Sequence, residues 1–351
     1  KSLFLRQEKN MKKIKKRQIF LSILIVYGLI ALFPRPQNFQ GSNPLRVENG
    51  DLPLIIAHGG GNLEFPDNTL EAYYHAFSID ENVMLETDVN LTQDGVVILS
   101  HDRSLDQKTN LINADVINTN YSDLVANEVD FGYQNNISGA NGYNTSGEFF
   151  KYKNYANEEV TPEDVTYPQG ISPRHPTKFL VTTLEELITL FPNNLINVEI
   201  KQTGEVGLLA LQKVIEIMDD LNVTHQTYQR IVLATFHEEV FQSMESLQKT
   251  SHPQLMFSPE FNGVLSFFIL QTTLMSVFYR QPIAVFQLPT EQLGLSLTTN
   301  LLINTAHMHN IAVHYWTIND EETMRSLIEK GVDGIMTDRP TLLSNVLSEY
   351  R

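Results

Sequence analysis

The 351-residue sequence has no cysteine. That one absence removes disulfides, thiolate metal sites and a cysteine nucleophile together. There is a single tryptophan, so any site that uses an indole face must use Trp316. Positive charge is scarce beyond the first seventeen residues. Those seventeen carry eight Lys/Arg and one Glu, and with a whole-chain charge of −16 the remainder stands at −23. A body this acidic repels nucleic-acid phosphates, which excludes that partner class. The run Gly59-Gly60-Gly61 matches neither G-x-G-x-x-G nor G-x-x-x-x-G-K-[S/T], so the usual nucleotide loops are missing too. What remains is a globular balance, 42% hydrophobic and 19% charged, with enough apolar side chain for a large core.

From Met11, MKKIKKRQIFLSILIVYGLIALF sets a basic flank against an uncharged stretch. Such asymmetry directs membrane insertion with the basic end in the cytoplasm. The apolar part, Ile19 to Phe33, has 15 residues, short of the ~20 that cross a bilayer upright. No small-x-small cleavage site follows, because the run enters Phe33-Pro34-Arg35-Pro36. The expectation is an uncleaved signal-anchor transmembrane helix within residues 1–33, with a cleaved signal peptide or a buried core helix as alternatives. A linker would span 34–50. The body, 51–351, would lie outside the cytoplasm on a single-pass anchor in the cell membrane.

Within the body, short apolar runs alternate with helix-length amphipathic segments. The runs are 54–58, 83–89, 196–200, 231–236, 254–258, 284–288, 313–318 and 334–338. Eight strand–helix alternations predict a closed (β/α)₈ barrel, with an open doubly wound sheet as the runner-up. Asp94-Gly95 between two extended runs predicts a hairpin that folds 96–100 back onto the second strand. From about 103 to 182 no period is sustained. That length is too great for a structureless loop, and it predicts an insertion capping the barrel mouth.

Barrel chemistry gathers at the C-terminal ends of the strands. Glu86 and Asp88 are two apart, so both carboxylates face one side of the second strand. Two acids inside a barrel repel each other, and a divalent cation resolves the repulsion, with Glu199 on the next barrel strand as third ligand. An all-oxygen set suits Mg²⁺, Ca²⁺ or Mn²⁺. The alternative is a structural ion pair with Lys201. His58 and His101 end neighbouring extended segments and suit a proton-accepting and proton-donating pair for phosphoester cleavage. A glycine run between strand and helix brings backbone N–H groups to an anion, or makes a bare tight turn. His307 and His309 mimic a metal pair but fall on the wrong side of the barrel. The stretch 264–279 has no charge and predicts a helix buried under a neighbour or docked in a membrane interface.

These residues together resemble the glycerophosphodiester phosphodiesterase family. The likeness rests on His58-Gly59-Gly60, Pro66-Asp67-Asn68-Thr69, Glu86-Thr87-Asp88, Thr92-Gln93-Asp94-Gly95 and His101-Asp102. Glu199-Ile200-Lys201, Trp316-Thr317-Ile318-Asn319 and Gly331 through Pro340 follow in the family's order. The resemblance implies a TIM barrel with a capping insertion. It implies His58 and His101 as the acid–base pair, and Glu86, Asp88 and Glu199 as ligands of one Ca²⁺ or Mg²⁺. Lys201 and the Gly59-Gly60 backbone would contact phosphate, and Trp316 would line the pocket for the glycerol or alcohol part. The implied reaction releases sn-glycerol 3-phosphate and an alcohol from a small-molecule or lipid-derived diester. Two family arginines are missing, one replaced by Gly59 and one in the segment Asp106-Gln107-Lys108-Thr109, where Lys108 is the candidate substitute. Lysophospholipase D-like hydrolysis, a cyclising phospholipase C-like reaction and a non-catalytic module binding glycerophosphate polymers are the alternatives.

Overall fold

The computed structural model describes residues 2–48, 50–137 and 142–351; within the first helix, side chains are described at residue 13 and from 15 onward. Most side chains of the basic flank therefore lie outside the described residues. The strands are β1 (Leu54–Ala57), β2 (Met84–Leu91), β3 (Val97–Leu99), β4 (Ile196–Ile200), β5 (Ile231–Ala234) and β6 (Met256–Phe257). They continue as β7 (Val285–Leu288), β8 (Glu291–Gln292), β9 (Leu295–Ser296), β10 (Ala312–Tyr315) and β11 (Gly334–Thr337). Eight of them pair in parallel in the order β6-β5-β4-β2-β1-β11-β10-β7. The expected barrel is nearly closed. Between its outermost strands, one backbone bond, Ala284 N–H to the Phe257 carbonyl at 3.2 Å, spans the seam. The seam is weak because β6 stops after two residues, just before Ser258 and Pro259, which has no N–H to extend a ladder.

Period-2 alternation sorts the side chains. Ile56, Met84, Val232, Met256, Val285, Ala312 and Met336 form one buried cluster with Leu45, inside the barrel. Their neighbours, such as Ile55, Leu85, Val198, Leu233 and Val313, belong to the larger cluster beneath the helices. Those helices are α1 (Ser2–Leu32), α2 (Leu70–Ile79), α3 (Tyr121–Ala126), α4 (Leu184–Leu190), α5 (Gly204–His225) and α6 (Thr227–Arg230). After them come α7 (Glu238–Thr250), α8 (Phe261–Thr272), α9 (Asn300–Met308), α10 (Glu321–Glu329) and α11 (Pro340–Ser348). Their starts follow side-chain chemistry: Thr69 caps α2, a Thr183–Glu186 capping box opens α4, and Asp320 caps α10.

The hairpin forms as expected, with β3 antiparallel to β2 and Val89 opposite Leu99. The insertion is ordered by polar bonds rather than by an apolar period. The buried Asp106 carboxylate accepts the backbone N–H groups of Asn113, Ala114 and Asn144.

Two expectations are corrected at the N-terminus and at α8. Among the described residues no helix is long and apolar enough to cross a membrane. The physical reason is length: fifteen apolar residues rise only about 22 Å against a hydrocarbon core of about 30 Å. The uncharged stretch 264–279 is not one helix, because α8 ends at Thr272 and Leu274 turns the chain at a φ of 58°. Its Phe267 packs in the core, while Ile269 and Phe278 are exposed. Tyr27 of α1 donates to the Thr273 carbonyl at 2.6 Å, which sets α1 beside the C-terminal end of α8.

The linker closes the barrel floor. His309 Nδ1 donates to Asn38 at 2.8 Å, and His314 Nε2 donates to the Leu45 carbonyl at 3.0 Å. Both rings are fully buried, and among the described residues the other nitrogen of His314 lacks a partner. Burial, with Arg35 and Arg280 nearby, pushes the His309 pKa down to about 4, and burial lowers that of His314. The unfolded chain takes up these protons near pH 6.5 and the folded chain does not. Their contribution is therefore complete above pH 6.5 and falls as pH drops toward 4. Calorimetry should show a smaller loss of Tm between about pH 7.5 and about pH 5 in His309→Gln than in the wild type. Equal losses would remove His309 as a cause.

Candidate active site

The barrel interior changes character along two strands. On β2 the inward positions run Met84, Glu86, Asp88, and on β4 the inward Asn197 and Glu199 stand beside Glu86 and Asp88 in the parallel register. The apolar floor thus gives way to three acids near the C-terminal ends. One carboxylate oxygen from each of Glu86, Asp88 and Glu199 lies within 4.8 Å of the others. Lys201 Nζ is 2.8 Å from Glu199 and 3.5 Å from Asp88. One ammonium among three acids leaves the group short of positive charge. Burial, then repulsion by Asp88, drives the Glu86 pKa well above the ordinary carboxylate range, and burial raises Glu199 against the pull of Lys201. The ion pair with Lys201 and the acid triad are both present.

The surrounding groups hold the acids in place. Asn68, at a positive φ of 60°, donates to the Asp88 carboxylate at 3.0 Å and accepts the Asp88 N–H at 3.0 Å. The Gly59 N–H donates to Glu86 at 2.7 Å. This corrects the expected role of the glycine run: the anion at that N–H is the protein's own carboxylate. Gly60 has a φ of 89°, and a Cβ there would lie 2.7 Å from that of Ala72 on α2. Its requirement is close packing under a helix. Only glycine tolerates both the left-handed backbone and that approach.

His58 and His101 border the same cavity as the triad. It encloses about 270 Å³ and is walled further along by Trp316, Gln287 and Phe236. Phe236 is 66% exposed and packs edge-on against Trp316, with ring centroids 6.0 Å apart. His58 Nδ1 donates to Asp338 at 2.6 Å, and Asn319 donates to the other Asp338 oxygen at 2.7 Å. That contact fixes the tautomer and leaves Nε2 as the working nitrogen. Burial works to lower the His58 pKa, but Glu86, Asp338 and Asp88 outweigh it and raise it to about 10. His101 is more open; its bond to Asp102 at 3.2 Å raises its pKa against partial burial.

The strand ends read from the sequence include Asn319 and Asp338 without giving either a role, and Asn68 stands only within a motif. All three lie within quoted motifs, and Asp338 and Asn319 end strands, which was the available signal. Phe236 also ends a strand run, but an apolar side chain carried no flag. His307, bonded to Asp333, and His309 lie at the floor, away from this cavity.

Residues 58–342 match the profile of the glycerophosphoryl diester phosphodiesterase family. The chain is 25% identical to human lysophospholipase D GDPD1, over 84% of this chain and 86% of that protein. It is 23% identical to a glycerophosphodiester phosphodiesterase of Caldanaerobacter subterraneus, over 84% and 97%. The fold matches an Oleispira antarctica phosphodiesterase solved in complex with the product sn-glycerol-3-phosphate. The TM-score is 0.57 at 16% identity, covering 85% of this chain and 97% of that one.

The Asp338 contact is open to direct measurement. In cation-free protein, Asp338→Asn should lower the His58 pKa by about one unit or more, because a hydrogen-bonded carboxylate charge is lost while Glu86 remains. Ring-proton NMR across a pH titration reads this. An unshifted His58 would show that Asp338 does not act on it.

Proposed function

The chain belongs to the glycerophosphoryl diester phosphodiesterase family and is an enzyme of that class, and from that premise we propose how it works. It hydrolyses glycerophosphodiesters to sn-glycerol 3-phosphate and a free alcohol. Glu86, Asp88 and Glu199 hold one divalent cation, and His58 and His101 move the protons. The observation that carries this reading is the meeting of three under-neutralised carboxylates with two histidines around one cavity. The donor set fits the ion: all ligands are hard oxygens, and Glu86 is buried where its charge is costly without a cation. When bound, the cation supplies positive charge opposite the phosphoryl oxygens.

The chain's own residues do the rest. Lys201 turns an N–H toward a phosphoryl oxygen from its place between Glu199 and Asp88, and His237, bonded to the Lys201 carbonyl at 2.9 Å, steadies its backbone. One histidine takes a proton from water and the other gives one to the departing alcohol oxygen. Glu86→Gln and His101→Ala should each cost about 10²–10⁴-fold in kcat while the barrel still folds, and a chelator should abolish turnover. Near-normal rates in either variant, together with indifference to chelator, would overturn the assignment.

The substrate's alcohol and the enzyme's location belong to the same reading. The exposed Phe236 beside Trp316 favours a second substrate class, lysophospholipids, whose chain would lie on that aromatic wall. The position of α1 favours soluble diesters. Exposed Ile19, Phe20, Leu21, Ile23 and Leu29, with the basic flank before them, suit attachment to an anionic membrane surface. That attachment would be on the floor side, because α1 meets the C-terminal end of α8 and leads into the floor-closing linker. The mouth then faces away from the bilayer, and the body lies outside the cytoplasm. Removing residues 1–33 should release the protein from membranes with glycerophosphocholine turnover unchanged, and external protease should reach the body in intact cells. A wild-type protein found free of membranes would overturn the attachment.

A further inference from the structure

The apolar face of α1 does not end with α1. Tyr27 holds the helix to the Thr273 carbonyl, and Met275 joins Ile19, Ile23, Val26 and Ile30 along one open groove. Next to Met275 in the chain stands the exposed Leu274, and three residues on stands the exposed Phe278. Ile269, one turn back along α8, is exposed as well. The barrel body thus continues the apolar surface that the N-terminal helix begins.

Leu274 is out of place by local criteria. Its φ of 58° is left-handed, a conformation that favours asparagine or glycine and strains a leucine. It follows the end of α8, where such a turn usually carries glycine. The turn itself is held, since the Leu274 N–H bonds to the Gln271 carbonyl at 3.0 Å and the Met275 N–H to that of Leu270 at 2.7 Å. The side chain is exposed, so core packing does not offset the strain. What this leucine lacks is an apolar partner.

Charge indicates which one. The chain carries 41 Asp and Glu, yet residues 9–47 and 261–290 contain none. The exposed polar positions Asn262, Ser266, Thr272 and Thr273 are all uncharged, while Lys13, Lys15, Lys16 and Arg17 are exposed on α1. Arg35 and Arg280 flank the turn, and both lie close enough to His309 to oppose its protonation. Arg35 donates to the Phe33 and Ala31 carbonyls, and Arg280 to those of Val277 and Tyr279. Among the described residues neither pairs with a carboxylate. In a body of charge −23, basic groups set apart from acids beside exposed apolar side chains match an anionic lipid surface. A second copy docked face to face would instead set arginine against arginine.

We propose that the turn from Ile269 to Arg280 is a second membrane contact, carried by the barrel itself. Leu274 and Phe278 enter the headgroup boundary of the anionic leaflet to which α1 attaches, and Arg35 and Arg280 meet lipid phosphates. The proposal rests on the attachment reading above. It adds what one helix cannot supply, because two contacts fix the orientation of the barrel, floor toward the bilayer. Two side chains are too few to hold the protein alone, so the turn reinforces α1 through its high local concentration at the surface.

The test sediments the full-length protein with vesicles of phosphatidylcholine and phosphatidylglycerol, and with vesicles of phosphatidylcholine alone. Leu274→Asn combined with Phe278→Ser should weaken partitioning onto the mixed vesicles roughly tenfold. Arg280→Gln should weaken it roughly fivefold there and leave the neutral vesicles unaffected. Glycerophosphocholine turnover should stay at the wild-type level in both variants. Because the chain has no cysteine, Phe278→Cys takes a single environment-sensitive dye, whose emission should shift to the blue on mixed vesicles. That measurement decides the matter if the double variant does not fold. Undiminished binding in the variants, or an unshifted dye, would overturn the second contact and leave α1 as the whole attachment. Light scattering that finds a wild-type dimer and a monomeric double variant would give the face to a second copy and overturn it too. A wild-type protein that ignores both kinds of vesicle would instead overturn the attachment reading itself.

Discussion

Three carboxylates inside a barrel repel one another, and much of the site is arranged around that repulsion. Glu86 and Asp88 share a face because β2 alternates, and Glu199 joins them because β4 lies in parallel register beside it. Lys201 is the one ammonium in contact with the group among the described residues. A single positive charge leaves Glu86 raised well above its normal pKa. The Gly59 N–H and the Asn68 amide hold individual carboxylates, yet neither carries charge. The cluster is stable as a set of anions only with a further cation among them.

The same repulsion reaches the histidines. His58 sits over Glu86 and Asp88 with Asp338 behind it, so its proton is held tightly until positive charge enters the triad. A cation held by the triad would share that field and would weaken the grip on the His58 proton. Asn319, braced against Thr337 and the Asp338 N–H, keeps Asp338 in place while that charge changes. The working groups come from four separate strand ends, which is how a parallel barrel concentrates chemistry at one mouth.

The two ends of the barrel do different work. The floor is apolar, filled by Met84, Val232, Met256 and Leu45, and closed by a linker tied to two neutral histidines. The mouth is acidic and polar, and part of its wall comes from the inserted segment. The exposed apolar face of α1 lies beside the floor, away from the mouth.

Sequence alone determined the barrel, the hairpin after β2, the acid triad and the histidine pair. The reason is that each is a local pattern: period-2 alternation, an Asp-Gly turn, and acids at strand ends within ordered motifs. The length of the N-terminal apolar run was also legible, and its shortfall against a bilayer was the correct warning. Tertiary structure decided what depends on distant partners. Gly60 looked like a phosphate cradle until α2 was seen to pack on it, because a glycine signals close approach without naming what approaches. Asp338 became a partner of His58 across 280 positions of sequence, a distance that no periodicity spans. The cap, ordered through Asp106 and Asn135 by side-chain-to-backbone bonds, has no repeating apolar signature. Its order therefore emerged only once the chain had folded.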